Sequence, residues 1–156
     1  MATNHQSIIQ IQSEEALCQF AVNLIPFLTP GLVIGLNGDL GTGKTTFVRC
    51  LGTALGSLDW INSPTYTLVQ TYVSPTLHIA HFDFYRCTSD AEIDQINVMS
   101  YLTKQSILLI EWLNKTTIIS PDITIDFSLI NQHERQLTIE SESHAWVSAL
   151  NNTHPN

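Results

Sequence analysis

Charge is scarce in this 156-residue chain: Asp, Glu, Lys and Arg make up 13% of it, about half of the roughly 25% usual in globular proteins. Its surface must therefore rely on neutral polar groups. Basic residues are scarcest. Six Lys and Arg against 14 Asp and Glu leave a formal charge of -8, which repels a phosphate backbone and disfavours tight direct binding to nucleic acid. Long apolar runs are also missing. The longest, such as Ile107 to Ile110, are far too short to cross a bilayer, so no membrane association is expected. The N-terminus, MATNHQSIIQIQ, has neither a basic leader nor a long apolar stretch, which predicts a cytoplasmic protein. Cysteine is limited to Cys18, Cys50 and Cys87, an odd number without a C-x-x-C pair. That pattern predicts reduced, core or half-buried thiols and not a disulfide framework. There is no internal repeat, low-complexity tract or linker composition. One domain over residues 1–156 is expected, with Asn151 to Asn156 as a frayed tail.

What is present reads as an alternation of strands and helices. Ser7 to Gln12 predicts a short strand, and Ser13 followed by Glu14 and Glu15 supplies a helix N-cap with acids in the first turn. Leu17, Phe20, Ala21, Leu24 and Leu28 then fall on one helical face, which Thr29, Pro30 and Gly31 terminate. Leu32 to Leu36 is a continuous apolar run and predicts a buried strand. After a glycine-rich turn, Phe47, Val48, Leu51, Ala54 and Leu55 form a second helical face ending near Gly56. Tyr66 to Val73 and Leu77 to Phe82, separated by Ser74, Pro75 and Thr76, predict an antiparallel hairpin. Ser89 and Glu92 form a capping box for a short helix through about Asn97. Ser106 to Ile110 predicts a strand buried on both faces, and the alternation at Ile123, Ile125, Phe127 and Leu129, then at Leu137 and Ile139, predicts a second hairpin turning at Asn131 to Glu134. His144 to Leu150 reads as a last helix. The fold class that follows is α/β, a three-layer P-loop NTPase arrangement with a mixed, mostly parallel sheet and antiparallel hairpins.

The most specific motif is Gly38-Asp39-Leu40-Gly41-Thr42-Gly43-Lys44-Thr45, which fits G-x-x-x-x-G-K-[ST] at every fixed position. Glycines let successive N–H groups turn inward as a nest for phosphate at a helix N-terminus. Lys44 supplies a cation for the β- and γ-phosphates, Thr45 a hydroxyl for Mg²⁺, and Thr46 reaches the α-phosphate side. A carboxylate is needed beside the metal, at the end of a neighbouring apolar strand. Glu111 follows Ser106 to Ile110 directly and is assigned to Mg²⁺. Asp83 follows Leu77 to Phe82 and shares the metal or orients the attacking water. The guanine-reading N-K-x-D element is absent, since Asn114-Lys115-Thr116-Thr117 lacks the acid, so ATP is the expected nucleotide. Arg49, Arg86 and Arg135 are too few for the lid of a small-molecule kinase, the alternative reading. Thr65, within Ser63-Pro64-Thr65-Tyr66-Thr67-Leu68, stands where switch loops carry a γ-phosphate-sensing Thr. His78 and His81 lie on opposite faces of one strand and are read as core or surface histidines.

These strings together, with His81-Phe82-Asp83-Phe84-Tyr85-Arg86 and Ile110-Glu111-Trp112, resemble the bacterial TsaE family of tRNA threonylcarbamoyladenosine biosynthesis, over about Gln12 to Ile139. The resemblance implies an ATPase, weak or partner-dependent, that works with TsaB and TsaD. Those proteins place threonylcarbamoyl on the adenosine beside the anticodon of tRNAs reading A-starting codons, and ATP hydrolysis resets the complex. It implies phosphate binding by Gly41, Thr42, Gly43, Lys44, Thr45 and Thr46, Mg²⁺ at Thr45 and Glu111, hydrolytic roles for Asp83 and Thr65, and an active-conformation role for Trp112. Ser13 and Arg135 match places of nucleotide contact. Where the family commonly has alanine and proline, this chain has Thr42 and Leu113, and the second change predicts a less rigid loop after Glu111. The acidic balance implies that tRNA is reached only through the partner proteins.

Overall fold

The computed structural model describes residues 3–59, 61 and 64–153. The elements run β1 (His5–Ile11), α1 (Glu14–Leu24), β2 (Val33–Asn37), α2 (Lys44–Ala54), β3 (Val69–Tyr72), β4 (His78–Asp83), α3 (Asp90–Ile96), β5 (Ser106–Glu111), β6 (Ile123–Leu129), β7 (Arg135–Ser141) and α4 (His144–Thr153). The strands form a single sheet in the order β1-β7-β6-β2-β5-β4-β3. Its central pairs, β6 with β2, β2 with β5 and β5 with β4, are parallel. The outer pairs, β1 with β7, β7 with β6 and β4 with β3, are antiparallel. The α/β class and both hairpins are as expected.

Two apolar cores explain the three layers. Along β5, Ile107 and Leu109 join the core beneath α1 and α2, while Leu108 and Ile110 join the one beneath α3. This is the period-2 alternation of a strand covered on both faces. Leu17, Phe20, Ala21 and Leu24 are the buried stripe of α1. Pro26 lies in a short 3-10 turn over Ile25–Phe27, so the helix stops at Leu24. The Ser13 side chain accepts the Ala16 N–H at 3.1 Å and caps α1. At α3 the box is modified: Ser89 accepts the Glu92 N–H at 3.3 Å, but the Glu92 carboxylate accepts the Thr88 N–H at 2.9 Å and the Thr88 hydroxyl at 2.8 Å. The Thr88 backbone bond, then the hydroxyl, hold the Glu92 carboxyl below its ordinary pKa. In the β6–β7 turn, Asn131 Oδ1 accepts the N–H groups of His133 and Glu134, both at 2.9 Å.

Four expectations are corrected. The first strand begins at His5, pairing with Ser141, and not at Ser7. The strand expected over Tyr66–Val73 begins only at Val69, because Thr67 and Leu68 both donate back to the Pro64 carbonyl, at 3.2 and 2.7 Å, and form a turn. Helix α4 continues through Thr153, so Asn151 is helical, and 154–156 lie outside the described residues. Cys18 and Cys50 are bridged, with Cα atoms 5.0 Å apart, and only Cys87 is a free thiol. Neighbouring packing of α1 and α2 brings that pair together. Burial raises the Cys87 thiol pKa, and Glu92 adds to the rise. No helix among the described residues is long and apolar enough to cross a membrane.

Asp126 on β6 lies opposite Asn37 on β2. Burial pushes its carboxyl pKa up, Asn37 hydrogen bonding pulls it down, and Glu140 raises it further. A carboxyl raised in the folded state binds its proton more tightly there than when unfolded, so stability falls as pH rises through the ordinary carboxylate range. Asp126→Asn is therefore expected to raise the melting temperature at pH 7, with the gain shrinking below about pH 4. Thermal unfolding of both proteins across pH 3 to 8 checks this; an equal shift at all pH values would contradict it.

Candidate functional site

Strand β2 ends at Asn37 and α2 begins at Lys44, so the loop between them is the phosphate motif. Gly38 and Gly43 require glycine. At Gly38, with φ of +136°, a Cβ would lie 2.4 Å from the backbone oxygen of Phe127; at Gly43, with φ of +108°, it would lie 2.3 Å from Arg135 Nη1. Thr42 is buried and donates its hydroxyl to the Asp39 carbonyl at 2.8 Å, bracing the loop. Lys44 is 4% exposed, and its ammonium donates to the carbonyls of Gly38 and Asp39. Burial lowers its pKa, while Glu111, Asp83 and Asp39 oppose that shift. The Trp112 ring centroid lies 4.6 Å from Lys44 Nζ, close enough for a cation–π contact.

The parallel register of β4 and β5 sets Asp83 beside Glu111 at the C-terminal ends of these strands, facing this loop. Both are 3% exposed. Thr45, in the first turn of α2, donates its hydroxyl to Glu111 Oε1 at 2.8 Å. Thr65 donates to Asp83 Oδ2 at 2.7 Å, and the Tyr85 N–H donates to Asp83 Oδ1 at 2.8 Å. The turn that shortens β3 is what aims Thr65 at Asp83. Leu68 closes that turn at φ of +67°, an uncommon conformation for leucine, and its carbonyl accepts the Asp83 N–H at 3.1 Å. Ser63, the first residue of the predicted switch string, lies outside the described residues.

Gly41, Gly43, Lys44, Thr45, Thr46, Thr65, Asp83, Glu111 and Arg135 all line one cleft, together with Trp112. Ser13 and Thr42 do not: Ser13 is engaged in capping α1, and the Thr42 side chain turns back on its own loop. Glu14 and Leu40, not singled out from the sequence, complete the lining. His81 was read as a plain core or surface residue. It is fully buried, with Nε2 2.8 Å from Glu111 Oε1. Its position two residues before Asp83 on a strand was the available signal, since period 2 places both on one face. His78 is half-buried at the start of β4, and its Nδ1 accepts the Ser74 N–H at 3.3 Å. Trp112 adopts φ of +60° and packs against Tyr85 with ring centroids 5.1 Å apart and planes inclined at 45°. Leu113, expected to leave the loop after Glu111 less rigid, is 4% exposed and packs directly on Gly35, filling the space a side chain there would need.

The donor set suits Mg-nucleotide. Among the described residues no three His, Cys, Asp or Glu side chains form an all-protein metal cage. Mg²⁺ needs none, being held by one or two carboxylates, a hydroxyl and phosphate oxygens. Thr45 and Glu111 offer those hard oxygens in contact with each other. Arg135 donates from Nη1 to the Thr42 carbonyl at 3.3 Å, and its buried Nε has no hydrogen-bond partner among the described residues. An orphaned guanidinium donor at the rim of the loop fits an anionic ligand.

Similarity to known proteins follows the same motifs. A model of the family described as "Threonylcarbamoyl adenosine biosynthesis protein TsaE" matches residues 11–139. A tRNA threonylcarbamoyladenosine biosynthesis protein TsaE of Rickettsia bellii is 36% identical over 142 residues, spanning 89% of this chain and 96% of that one. The protein of the same name from Haemophilus influenzae is 40% identical over 94 residues, so that match spans 60% of each chain. The crystal structure of Bacillus subtilis YdiB superposes with a TM-score of 0.75 at 24% identity, covering 97% of this chain and 96% of that one, and shares its fold. With the family model spanning all the motifs from α1 to β7, this chain belongs to the TsaE family.

Proposed function

We propose that this chain binds Mg-ATP in the cleft at Gly41 to Thr46 and hydrolyses it. We also propose that it serves threonylcarbamoyl modification of the anticodon-adjacent adenosine in tRNAs reading A-starting codons, as the names of its relatives suggest. The observation that carries this reading is the pair of contacts Thr45–Glu111 and Thr65–Asp83, which bring a metal-type pair and a hydrolysis-type pair into one phosphate-loop cleft. Bound Mg²⁺ would neutralise phosphate charge developing during cleavage. The loop N–H groups and Lys44 hold the β- and γ-phosphates, and Arg135 adds a cation at the rim. Asp83 accepts a proton from, or orients, the attacking water, and Thr65 holds that carboxylate in place. Trp112 lines the cleft with its ring 4.6 Å from Lys44 Nζ, and Tyr85 packs against its ring.

TsaB and TsaD are the proposed partners, and a formal charge of -8 favours reaching tRNA through them. Phosphate release measured with and without TsaB and TsaD, and with no small-molecule acceptor present, tests the reading. Stimulation by the partners supports it; ADP formation that needs a metabolite acceptor and ignores the partners would establish a kinase instead. Asp83→Asn is expected to leave ATP affinity within a few-fold and to slow phosphate release by about 10²-fold. Equal loss of affinity and rate would place Asp83 in binding rather than in the chemical step.

A further inference from the structure

His81 has no assigned task, yet it is a fully buried polar side chain: its exposure is 0%, and burying an imidazole without partners is unfavourable. A leucine or phenylalanine would fill the same space on this face of β4, where Ile79 two residues earlier is wholly apolar. Nε2 lies 2.8 Å from Glu111 Oε1. On the other side Nδ1 lies 3.5 Å from the Tyr72 hydroxyl, which gives its own hydrogen to Gln70 Oε1 at 2.7 Å, so that this side of the ring is a packing contact. A carboxylate can only accept, so Nε2 carries its hydrogen in the bond to Glu111. The same Oε1 accepts the Thr45 hydroxyl at 2.8 Å. Glu111 is thus pinned by two donors from two elements, β4 and α2, although a glutamate side chain has three torsions to restrain.

We propose that His81 is a positioning residue that holds the Glu111 carboxylate against Thr45, so that the Thr45 hydroxyl commits its one proton to Glu111 and keeps its lone pairs for Mg²⁺. The proposal rests on the Mg-ATP reading above. Groups that hydrogen-bond a metal's ligands orient them, and losing such a partner typically weakens metal affinity about 10- to 100-fold. His81 acts through Glu111 and touches neither nucleotide nor metal.

Three variants of the full chain test this. His81→Leu fills the volume without a donor, His81→Asn keeps a polar group too short to reach Glu111, and His81→Gln places an amide N–H near the Nε2 position. A non-hydrolysable ATP analogue is titrated calorimetrically with and without Mg²⁺. Mn²⁺ affinity of the analogue-bound protein is read by electron paramagnetic resonance, and thermal unfolding without nucleotide reports folding. The Leu and Asn variants are expected to bind metal-free analogue within about 2-fold of the unaltered protein and Mn²⁺ about 10- to 100-fold more weakly, with His81→Gln recovering most of the loss. Should the Leu variant not fold, the Asn and Gln pair decides alone. Unchanged metal affinity in a folded Asn or Leu variant overturns the role of His81, as does equal loss in the Gln variant. If the unaltered chain itself shows no metal-dependent analogue binding, the Mg-ATP reading falls and this proposal with it.

Discussion

Lys44→Ala is expected to lower phosphate release by about 10²- to 10³-fold and to abolish threonylcarbamoyl-adenosine in tRNA when it replaces the unaltered chain in cells. The ammonium is the one cation whose side chain lies within the loop, and three acids, Glu111, Asp83 and Asp39, act on it from around the cleft. Removing it leaves a site lined by carboxylates facing a polyanion, so affinity and rate both fall. Folding is affected in the other direction. Burial holds the Lys44 pKa below its ordinary value, so the charged ammonium is less favourable in the folded chain than unfolded. That penalty is present at neutral pH and is relieved as pH rises toward the ordinary lysine range, where the folded-state group loses its proton first. The alanine variant should therefore compare more favourably with the unaltered chain at pH 7 than near pH 10, both without nucleotide. Calorimetry and mass spectrometry of tRNA nucleosides check the two halves; normal modification with Lys44→Ala would sink the mechanism.

Gly38→Ala should be the most disruptive single change at the site for the fold. At φ of +136° an L side chain is strained, and its Cβ would sit 2.4 Å from the Phe127 carbonyl oxygen, part of the β6 backbone that cannot swing aside. A cost of about 2–4 kcal/mol follows, which lowers the melting temperature by roughly 5–15 °C for a chain of this size. Gly41 is the internal control. It also has positive φ, +80°, but a Cβ there meets nothing within 4 Å, so Gly41→Ala pays only the left-handed penalty of about 1–2 kcal/mol. If thermal unfolding ranks the two variants equally, the close approach of β6 to the loop is not what demands glycine at position 38.

Both predictions involve residues that sequence spacing alone singles out, and the reason is locality. The loop at Gly38 to Thr45, the Ser13 and Ser89 caps and the two-faced strand Ser106 to Ile110 each express their physics within about ten residues: a nest of N–H groups, a capped first turn, a period of two. Tyr66 to Leu68 read as strand because β-branched and aromatic residues dominate Tyr66 to Val73, but the backbone bonds to the Pro64 carbonyl outweigh that preference. At Leu113 the sequence shows only the missing proline; its packing against Gly35 joins distant segments, which spacing does not reveal.

By itself, then, the sequence determined that a phosphate loop stands between a buried strand and a helix, and that two acids each end an apolar strand. Only the tertiary structure decided who meets whom. Thr65 reaches Asp83 across 18 residues, His81 reaches Glu111 across 30, and Cys18 is bridged to Cys50 across 32. These pairings depend on the order of strands in the sheet and the packing of α1 on α2, which arise from burying two apolar faces at once and leave no periodic trace in the chain.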